Sequence, residues 1–322
     1  MSDAAVKRGL QLNLSRSQKQ LLSTFSGLFL LGLVFTILSP YFFSVNNLLT
    51  VATQTAVIAI IAVGQTYVLI TGGIDLSIGS NIALSAMVAG LVMRANLPVP
   101  LAVLSGLVTG LASGAVSGTL VAFGNIPPFI ATLGTMTVAR GLSFTLTQAI
   151  PISGLPKTFT TFWGTGSTLG IPNPVIIMVI LVLVFAFILA KTKLGRHVYA
   201  TGSNFEAARL SGVNTRKVLI TVYVFSGLLA AFAGLIMAAR IISAQPSAGD
   251  GYELDAVASS VIGGTSTMGG EGTVAGTFIG AFVIGVLRNG LNLIGVSPFI
   301  QKIVIGIVIV GSVFLDRIRR KD

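Results

Sequence analysis

Long apolar stretches alternate with short polar breaks along almost the whole chain, and this pattern predicts membrane-spanning helices. A helix needs roughly 20 apolar residues to cross the hydrocarbon core of a bilayer, and about ten stretches approach that length. They lie near residues 22–39, 50–71, 76–93, 99–123, 127–149, 173–190, 218–240, 253–268, 273–293 and 298–315. The sequence therefore predicts an all-α integral membrane protein with one transmembrane domain, residues 22–315, between tails of residues 1–21 and 316–322.

The longest polar interval, residues 191–217, separates the sixth predicted span from the seventh. It is rich in lysine and arginine, and basic residues between spans collect on the cytoplasmic face, so we predict a cytoplasmic loop. Its centre predicts a short helix that ends at a glycine. That helix and its boundaries comprise Asn204, Glu206, Ala207, Ala208, Arg209 and Gly212. Such a loop indicates either a docking surface for a soluble partner or a basic segment that only fixes topology.

Composition supports a polytopic membrane protein. The chain of 322 residues is 53% hydrophobic and only 9% charged, whereas a soluble domain has about 25% charged residues. The net charge of +11 comes mostly from basic residues in the 191–217 loop and in the two tails. Six spans before the loop and four after it would place all three clusters on the cytoplasmic side. This distribution argues against a nucleic-acid-binding surface.

The residue types also exclude several kinds of site. There is no cysteine and only one histidine, so disulfides, thiol nucleophiles, cysteine-ligated metals and histidine-rich metal sites are excluded. No P-loop motif is present, so the chain binds no ATP through a P-loop of its own. We therefore expect no cofactor and no metal, and an integral-membrane enzyme would have few residues to work with.

Glycines recur at every fourth position in two of the predicted spans. They are Gly106, Gly110, Gly114 and Gly118 in the fourth span, and Gly272, Gly276 and Gly280 in the ninth. Small residues at that spacing form a flat helix face that another backbone can approach closely. We interpret both stripes as packing surfaces.

Two breaks between spans combine acidic residues with glycines. Asp75 stands between Gly73 and Gly79, and Glu253 and Asp255 closely follow Gly251. The two segments are five spans apart and would run in opposite directions, which predicts an inverted internal repeat with interrupted helices. Binding sites of transporters form where such helices break. The alternative is that the carboxylates only cap helix N-termini, which favour acidic side chains.

Arg140 should lie within a span, where an arginine is costly unless it is paired or hydrated. Asp75 and Asp255 are its candidate partners, whereas Arg240 and Arg288 are long enough to reach an interface. Uncharged polar residues also fall within spans, and they suit a neutral polyhydroxylated solute better than a metal cation. Many of them could instead join helices to one another. The set includes Gln65, Thr132, Thr135, Asn289 and Asn292.

Several of these motifs together carry a family resemblance. The pattern Glu206-Ala207-Ala208-x-x-x-Gly212 resembles the cytoplasmic loop of ABC importer permeases, which inserts a coupling helix into a groove on the ATPase subunit. Further matching motifs are residues 72–80, 129–136, 243–246, 251–256, 263–266 and 289–296. In this combination, from about residue 40 to 315, the chain resembles ribose-type sugar ABC permeases of the branched-chain amino acid/ribose permease family.

The resemblance implies a permease of the bacterial inner membrane, usually a homodimer. A periplasmic binding protein would deliver sugar, and a separate ATPase with two fused nucleotide-binding halves would drive alternating access. It implies that Asn204, Glu206 to Arg209 and Gly212 couple to the ATPase. Gln65, Asp75, Thr132, Thr135, Glu253, Asp255, Asn289 and Asn292 are the candidates for the pathway or its gates. Glu271 and Arg288 depart from the family pattern, which leaves the sugar undefined among ribose and related monosaccharides.

A second hypothesis is an ion-coupled secondary transporter that works without a partner. The predicted inverted repeat and the intramembrane charges favour it. The Glu-Ala-Ala loop argues against it, because such a carrier has no ATPase to dock.

Overall fold

The structure, a computed structural model, describes residues 16–319, so residues 1–15 and 320–322 of the predicted tails lie outside the described part. Within that part the chain forms thirteen α-helices. They are α1 (Arg16–Leu38), α2 (Val45–Ile70), α3 (Ile78–Arg94), α4 (Val99–Ala122), α5 (Pro128–Thr145), α6 (Lys157–Thr160), α7 (Asn173–Lys191), α8 (Lys193–Ser203), α9 (Phe205–Leu210), α10 (Thr215–Ile241), α11 (Tyr252–Ile262), α12 (Val274–Leu293) and α13 (Pro298–Arg319).

Capping side chains and prolines explain where many of the helices begin. A side-chain oxygen at each of five helix starts accepts a hydrogen bond from the backbone N–H three residues later. These capping residues are Ser44, Thr192, Asn204, Asn214 and Thr273. A proline occupies the first turn of α4, α5 and α7, where its missing N–H has no helical partner to lose.

The end of the bundle that carries α8 and α9 is called the loop end here, and the opposite end is the far end. Helix α2 ends and α12 begins at the loop end, because Gly270 N–H donates to the Ile70 carbonyl at 2.8 Å and Tyr199 of α8 donates to the Gly272 carbonyl at 2.6 Å. Burial raises the pKa of the Tyr199 hydroxyl, which keeps it a donor. Gln20 of α1 lines a groove with Tyr199, so α1 also starts at this end.

The glycine stripes pack closely as the sequence predicts, except that Gly272 precedes α12 and is not part of the helix face. Helices α4 and α10 run antiparallel with their backbones in close contact, and a Cβ at Gly110, Gly114 or Gly118 would collide with backbone atoms of α10. Gly276 and Gly280 of α12 similarly face the backbone of α11 and of the glycine that follows it. These contacts leave no space for larger side chains, which explains the spacing.

Helix α2 lies at the centre of the hydrophobic core and is buried along most of its length. It runs antiparallel to α12, because Thr66 lies 2.6 Å from the Thr277 hydroxyl near the loop end while Asn47 bonds Asn289 near the far end. Helix α13 then starts beside the end of α12, since the Gln301 amide donates to Asn292 at 2.8 Å.

Every predicted span coincides with a helix, but the helices differ in their ability to cross a membrane. Among the described helices, six are long and apolar enough, namely Gln20–Leu38, Val45–Ile70, Val99–Ala122, Asn173–Lys191, Thr215–Ile241 and Val274–Leu293. Helix α11 has 11 residues and extends about 16 Å, roughly half the hydrocarbon thickness. The ten-span topology therefore stays a prediction, and the chain is a multi-pass membrane protein.

Residues 150–172, which lie between the fifth and sixth predicted spans, fold at the far end. It contains β1 (Ile152–Ser153), α6, a π-helical turn (Thr161–Thr165) and a hairpin of β2 (Ser167–Thr168) and β3 (Ile171–Pro172). Strand β1 pairs antiparallel with β4 (Ser243–Ala244), with Ile152 opposite Ala244. This pairing ties the segment after α5 to the segment after α10.

Candidate functional site

Asp75 lies in the non-helical segment between α2 and α3 and is fully buried. Its Oδ1 accepts hydrogen bonds from the backbone N–H and the hydroxyl of Ser77, at 2.9 and 2.6 Å. Its Oδ2 accepts a hydrogen bond from the hydroxyl of Ser226 on α10, at 2.7 Å. The carboxylate therefore holds Ser77, the residue just before α3, and it also joins the break to α10.

Two further predicted residues hold the same break. The Gln65 side-chain amide is oriented so that it donates to the Asp75 carbonyl at 3.1 Å and accepts from the Asp75 N–H at 3.3 Å. Thr132 of α5 donates to the Ile74 carbonyl at 3.1 Å. The sequence analysis thus selected three residues, Gln65, Asp75 and Thr132, that the fold brings together. We call them, with Ser77 and Ser226, the α2–α3 clasp.

The other uncharged candidates join helices or their own backbone. Asn289 and Asn47 exchange two hydrogen bonds of 3.0 Å between their side-chain amides, which links α12 to α2. Asn292 accepts from Gln301 of α13. Thr135 donates to the Ala131 carbonyl one turn earlier in α5, at 3.0 Å. These residues lie apart from the α2–α3 clasp.

The second predicted break is built around the start of α11. Asp255 is buried and forms an ion pair of 2.5 Å with Arg288 of α12. The Arg288 guanidinium also lies 5.7 Å from the centre of the Tyr252 ring. The carboxylate of Glu253 lies beside Gly79 at the start of α3, where a Cβ at Gly79 would collide with it. The two helix starts are therefore in contact.

The predicted pairing of Arg140 with Asp75 or Asp255 is wrong. The Arg140 NH1 group donates to the backbone carbonyls of Pro246 and Ala248, at 2.9 and 2.8 Å. Asp75 and Asp255 are held by other partners, namely serine hydroxyls and Arg288. Backbone carbonyls satisfy a guanidinium without a carboxylate, and sequence alone does not reveal this option.

The 191–217 loop forms two helices, α8 and α9, where the sequence analysis predicts one. Asn204 caps α9, with its Oδ1 accepting from the Ala207 N–H at 2.9 Å. Glu206 and Arg209 are exposed on α9 and form an ion pair of 2.8 Å. Gly212 follows α9 with a φ of 84°, a conformation that favours glycine. Ala208 packs inward, so α9 presents a charged outer face.

A groove runs along α9. It has a volume of about 510 Å³ and is lined on the α9 side by Phe205, Glu206 and Arg209, and on the other side by the end of α4 and the start of α10. Nearby, Gly202 of α8 packs directly against the Ile70 backbone at the end of α2. The helix that precedes α9 therefore contacts the end of α2 that leads into the α2–α3 clasp.

Sequence reasoning missed Ser226, Tyr223 and Asn47. The hydroxyl of Tyr223 is buried beside Gly73, and it has no hydrogen-bond partner among the described residues. Ser226 and Tyr223 lie in α10, whose sequence is that of an ordinary apolar span. The sequence therefore does not indicate which residues they contact. Among the described residues, no group of three or more His, Cys, Asp or Glu could hold a metal ion.

The chain matches the family described as branched-chain amino acid transport system / permease component over residues 47–313. It is 48% identical to the ribose import permease protein RbsC of Bacillus subtilis over 300 residues, which cover 92% of this chain and 93% of that protein. It is 47% identical to RbsC of Escherichia coli K12 over 292 residues, with coverage of 90% and 91%.

More distant sugar permeases also match. The D-allose transport system permease protein AlsC of Escherichia coli K12 is 38% identical over 300 residues, which cover 92% of both proteins. No solved structure is significantly similar to the chain. Family membership and these identities agree with the transport architecture, and they identify a transport subunit without enzymatic activity of its own. The chain belongs to the branched-chain amino acid transport system permease component family, as a ribose-type sugar permease of an ABC transporter.

Proposed function

We propose that this chain is the membrane subunit of an ATP-driven importer for ribose or a closely related monosaccharide. The observation that carries the proposal is α9, a capped and exposed helix beside a groove at the loop end. The relatives that carry the name ribose import permease support the choice of sugar. An ion-coupled carrier has no use for a helix that docks an ATPase.

The coupling function belongs to Asn204, Glu206, Ala207, Ala208, Arg209 and Gly212 in this proposal. The Glu206–Arg209 pair offers both charge signs to a partner groove, and Gly212 lets the chain turn into α10. The contact between Gly202 and Ile70 supports transmission from this face to the α2–α3 clasp. ATP binding and hydrolysis in the partner would then shift the population between outward- and inward-facing states.

The proposed topology has ten spans and an inverted repeat, with both termini and the 191–217 loop in the cytoplasm. The transmembrane domain is residues 22–315, and the tails are residues 1–21 and 316–322. The contact between the starts of α3 and α11 supports the repeat, because interrupted helices of inverted repeats meet in this way. The position of Gln20 beside α8 supports placing α1's start at the loop end.

The proposed surroundings are the bacterial inner membrane, a second copy of this permease, a tandem-domain ATPase and a periplasmic sugar-binding protein. No nucleic acid is involved. In the pathway, Gln65, Asp75 and Thr132 hold the first break as a gate support, while Glu253 and Asp255 form the second break. Thr135, Asn289 and Asn292 are further candidates for the pathway or its gates; Asn289 and Asn292 also link α12 to α2 and to α13.

The first experiment is to purify the tagged permease from its native membrane in a mild detergent and identify the proteins that accompany it. We expect a tandem-domain ATPase, and we expect Glu206→Lys to remove it, because the reversed charge breaks the pair with Arg209 on the docking face. Lys191→Glu is the matched control, since it makes an opposite reversal of equal size on the same loop but outside α9.

Membrane insertion and yield should be unchanged in both variants, because both positions are exposed. Retention of the ATPase by Glu206→Lys with normal transport would remove α9 from the coupling role. An oligomer that purifies without any ATPase and imports solute along an ion gradient would overturn the importer proposal itself.

A further inference from the structure

The segment between α10 and α11, residues 242–251, is a non-helical stretch that returns into the bundle. Helix α10 has 27 residues and extends about 40 Å from the loop end, so residue 242 is at the far end. Helix α11 starts about 15 Å from Ile262, which receives a hydrogen bond from Thr24 of α1 near the loop end. Ten extended residues span about 33 Å, so the segment is long enough to lead from the far end back to the start of α11.

Two neighbouring helices bound the depth of the segment. Ser226, which binds Asp75 near the start of α3, lies about 16 Å along α10 from Thr215 at the loop end. Arg140, which holds the segment, lies about 12 Å further along α5 than Thr132, which donates to the Ile74 carbonyl next to Asp75. The sum of the two distances is smaller than the thickness of about 30 Å of the hydrocarbon core. The end of the segment and the starts of α3 and α11 therefore meet inside the bundle, at the depth of the hydrocarbon core.

Irregular backbone at this depth survives only where protein buries it or where it lines a water-filled space. Half of the residues in the segment are buried: Arg140 satisfies the carbonyls of Pro246 and Ala248, and Gly249 packs on the backbone of Gly79. Ser247 and Asp250, however, are exposed. An exposed carboxylate at this depth requires water, so we expect this side of the segment to face water.

Three charged side chains, those of Arg140, Asp250 and Glu253, lie near the end of the segment. Arg140 interacts electrostatically with Asp250 and Glu253 without forming an ion pair within 4 Å among the described residues. The NH1 group of Arg140 makes both of its carbonyl contacts, which leaves NH2 and Nε for a ligand. Asp250 makes no side-chain hydrogen bond within the described part of the chain and is free to accept one.

The combination of charges indicates the chemistry of the ligand. The guanidinium and the positive N-terminal end of α11 offset most of the charge of the two carboxylates, so the position has little net charge. Carboxylates accept hydrogen bonds from hydroxyl hydrogens, and a guanidinium donates to hydroxyl oxygens. A neutral molecule with several adjacent hydroxyl groups can use all three side chains, whereas an ion of either sign meets a like charge.

We propose that Arg140, Asp250 and Glu253 form a sugar-binding site on the translocation pathway, where they bind the hydroxyl groups of a neutral monosaccharide. This proposal rests on the proposed function and adds a residue, Asp250, that the sequence analysis did not select. Asp75 has no such role, because hydroxyl and backbone donors already occupy its oxygens.

The test uses the natural absence of cysteine. Ser247→Cys introduces one exposed thiol beside Asp250 with the smallest possible change of side chain. The variant is reconstituted with its ATPase and binding protein in liposomes, and the rate of modification by a charged, water-soluble methanethiosulfonate reagent is measured with and without D-ribose. Leu169→Cys, at the tip of the far-end hairpin, is the control, because its side chain is 97% exposed.

We expect the thiol at position 247 to react, to react several-fold more slowly with D-ribose present, and to lose that protection when Asp250→Asn is added. The thiol at position 169 should react equally fast in all cases. A thiol at 247 that does not react, that ignores D-ribose, or that stays protected in Asp250→Asn would overturn the site. If Leu169→Cys imports D-ribose and one of these three contradicting results is found, the proposed binding site is wrong and the proposed function stands. If no variant imports D-ribose, the site falls together with the proposed function.

Discussion

Two non-helical segments interrupt the bundle, namely residues 71–77 between α2 and α3 and residues 242–251, which lead into the second break at the start of α11. Each has an acidic residue close to glycines, and the two differ in how their polar groups are satisfied. In the first, side chains from α2, α5 and α10 converge on the break and the Asp75 carboxylate is fully buried. In the second, one arginine holds the backbone while Asp250 remains exposed. An acidic residue close to glycines can therefore be a buried carboxylate that holds helices together, or an exposed carboxylate at the surface of the bundle.

The difference has a physical cause. Each oxygen of Asp75 has a neighbouring donor, so removing the carboxylate leaves donors without partners in a dry environment. Asp250 faces no such donors within the described part of the chain, so its removal exposes nothing that was paired. Substitutions in the first break should thus lower the stability of the protein, whereas substitutions in the second should lower the rate of transport. The two effects can therefore be measured separately.

The largest effect is expected for Asp75→Ala. It removes the acceptor of three hydrogen bonds, and we expect the free energy of unfolding to fall by about 3 kcal/mol or more. The midpoint of thermal unfolding of the purified protein in detergent measures this loss. Asp250→Ala is the matched control and should leave the midpoint nearly unchanged, because Asp250 is exposed. Equal midpoints for the two variants would contradict the distinction between the breaks.

A smaller effect is expected for Arg140→Met, which keeps most of the apolar stem but removes two hydrogen bonds from a charged donor to buried carbonyls. We expect a loss of about 2 kcal/mol. Hydrogen exchange should increase in residues 242–251 and stay unchanged in residues 71–77, since the α2–α3 clasp is independent of Arg140.

Arg94→Met provides the control for this variant, because Arg94 is exposed at the end of α3. It should change neither exchange rate. Faster exchange in both breaks of Arg140→Met would mean that the arginine stabilises the bundle as a whole and has no specific hold on the second break.

Much of the architecture follows from the sequence, because its signals are local. Apolar runs place the helices, capping residues and prolines place many of their starts, and the glycine spacing of α4 predicts a close contact. The helix at Glu206 is also local, since its cap and its glycine stop lie within nine residues. The length of α11 is less well predicted, because Gly263 ends it before the apolar run ends.

The partners of the buried charges could not be predicted, because they depend on contacts between distant segments. Asp75 is bound by Ser226, which is 151 positions away, and Arg140 is bound by backbone carbonyls, which every residue carries. Sequence reasoning therefore included Gln65, Asp75 and Thr132 among eight candidates without grouping them, and it named Asp75 and Asp255 as candidate partners for Arg140, which instead binds backbone carbonyls. Charge can be read from a sequence, but the donor and acceptor that satisfy it belong to the folded chain.

The smallest effect on stability, and the sharpest comparison, is expected for Asp250→Asn set beside Asp75→Asn. Both substitutions replace a carboxylate by an amide of nearly the same shape. In Asp75→Asn the amide oxygen can still accept from Ser77, but the N–H₂ group then faces the Ser226 hydroxyl, which has to change from donor to acceptor, so the variant should unfold at a lower temperature. In Asp250→Asn the exposed amide has no side-chain hydrogen bond to lose within the described part of the chain, and the free energy of unfolding should change by less than about 0.5 kcal/mol.

Transport should show the opposite order for the fraction of protein that is folded. Asp250→Asn should lower the rate of D-ribose import in reconstituted liposomes severalfold while ATP hydrolysis by the bound ATPase continues, because an acceptor for sugar hydroxyls is lost far from the docking helix. Asp75→Asn, once folded, should import at a rate closer to that of the original protein. An Asp250→Asn permease with full import would show that the exposed carboxylate is only a solvated group, and that the second break is as purely structural as the first.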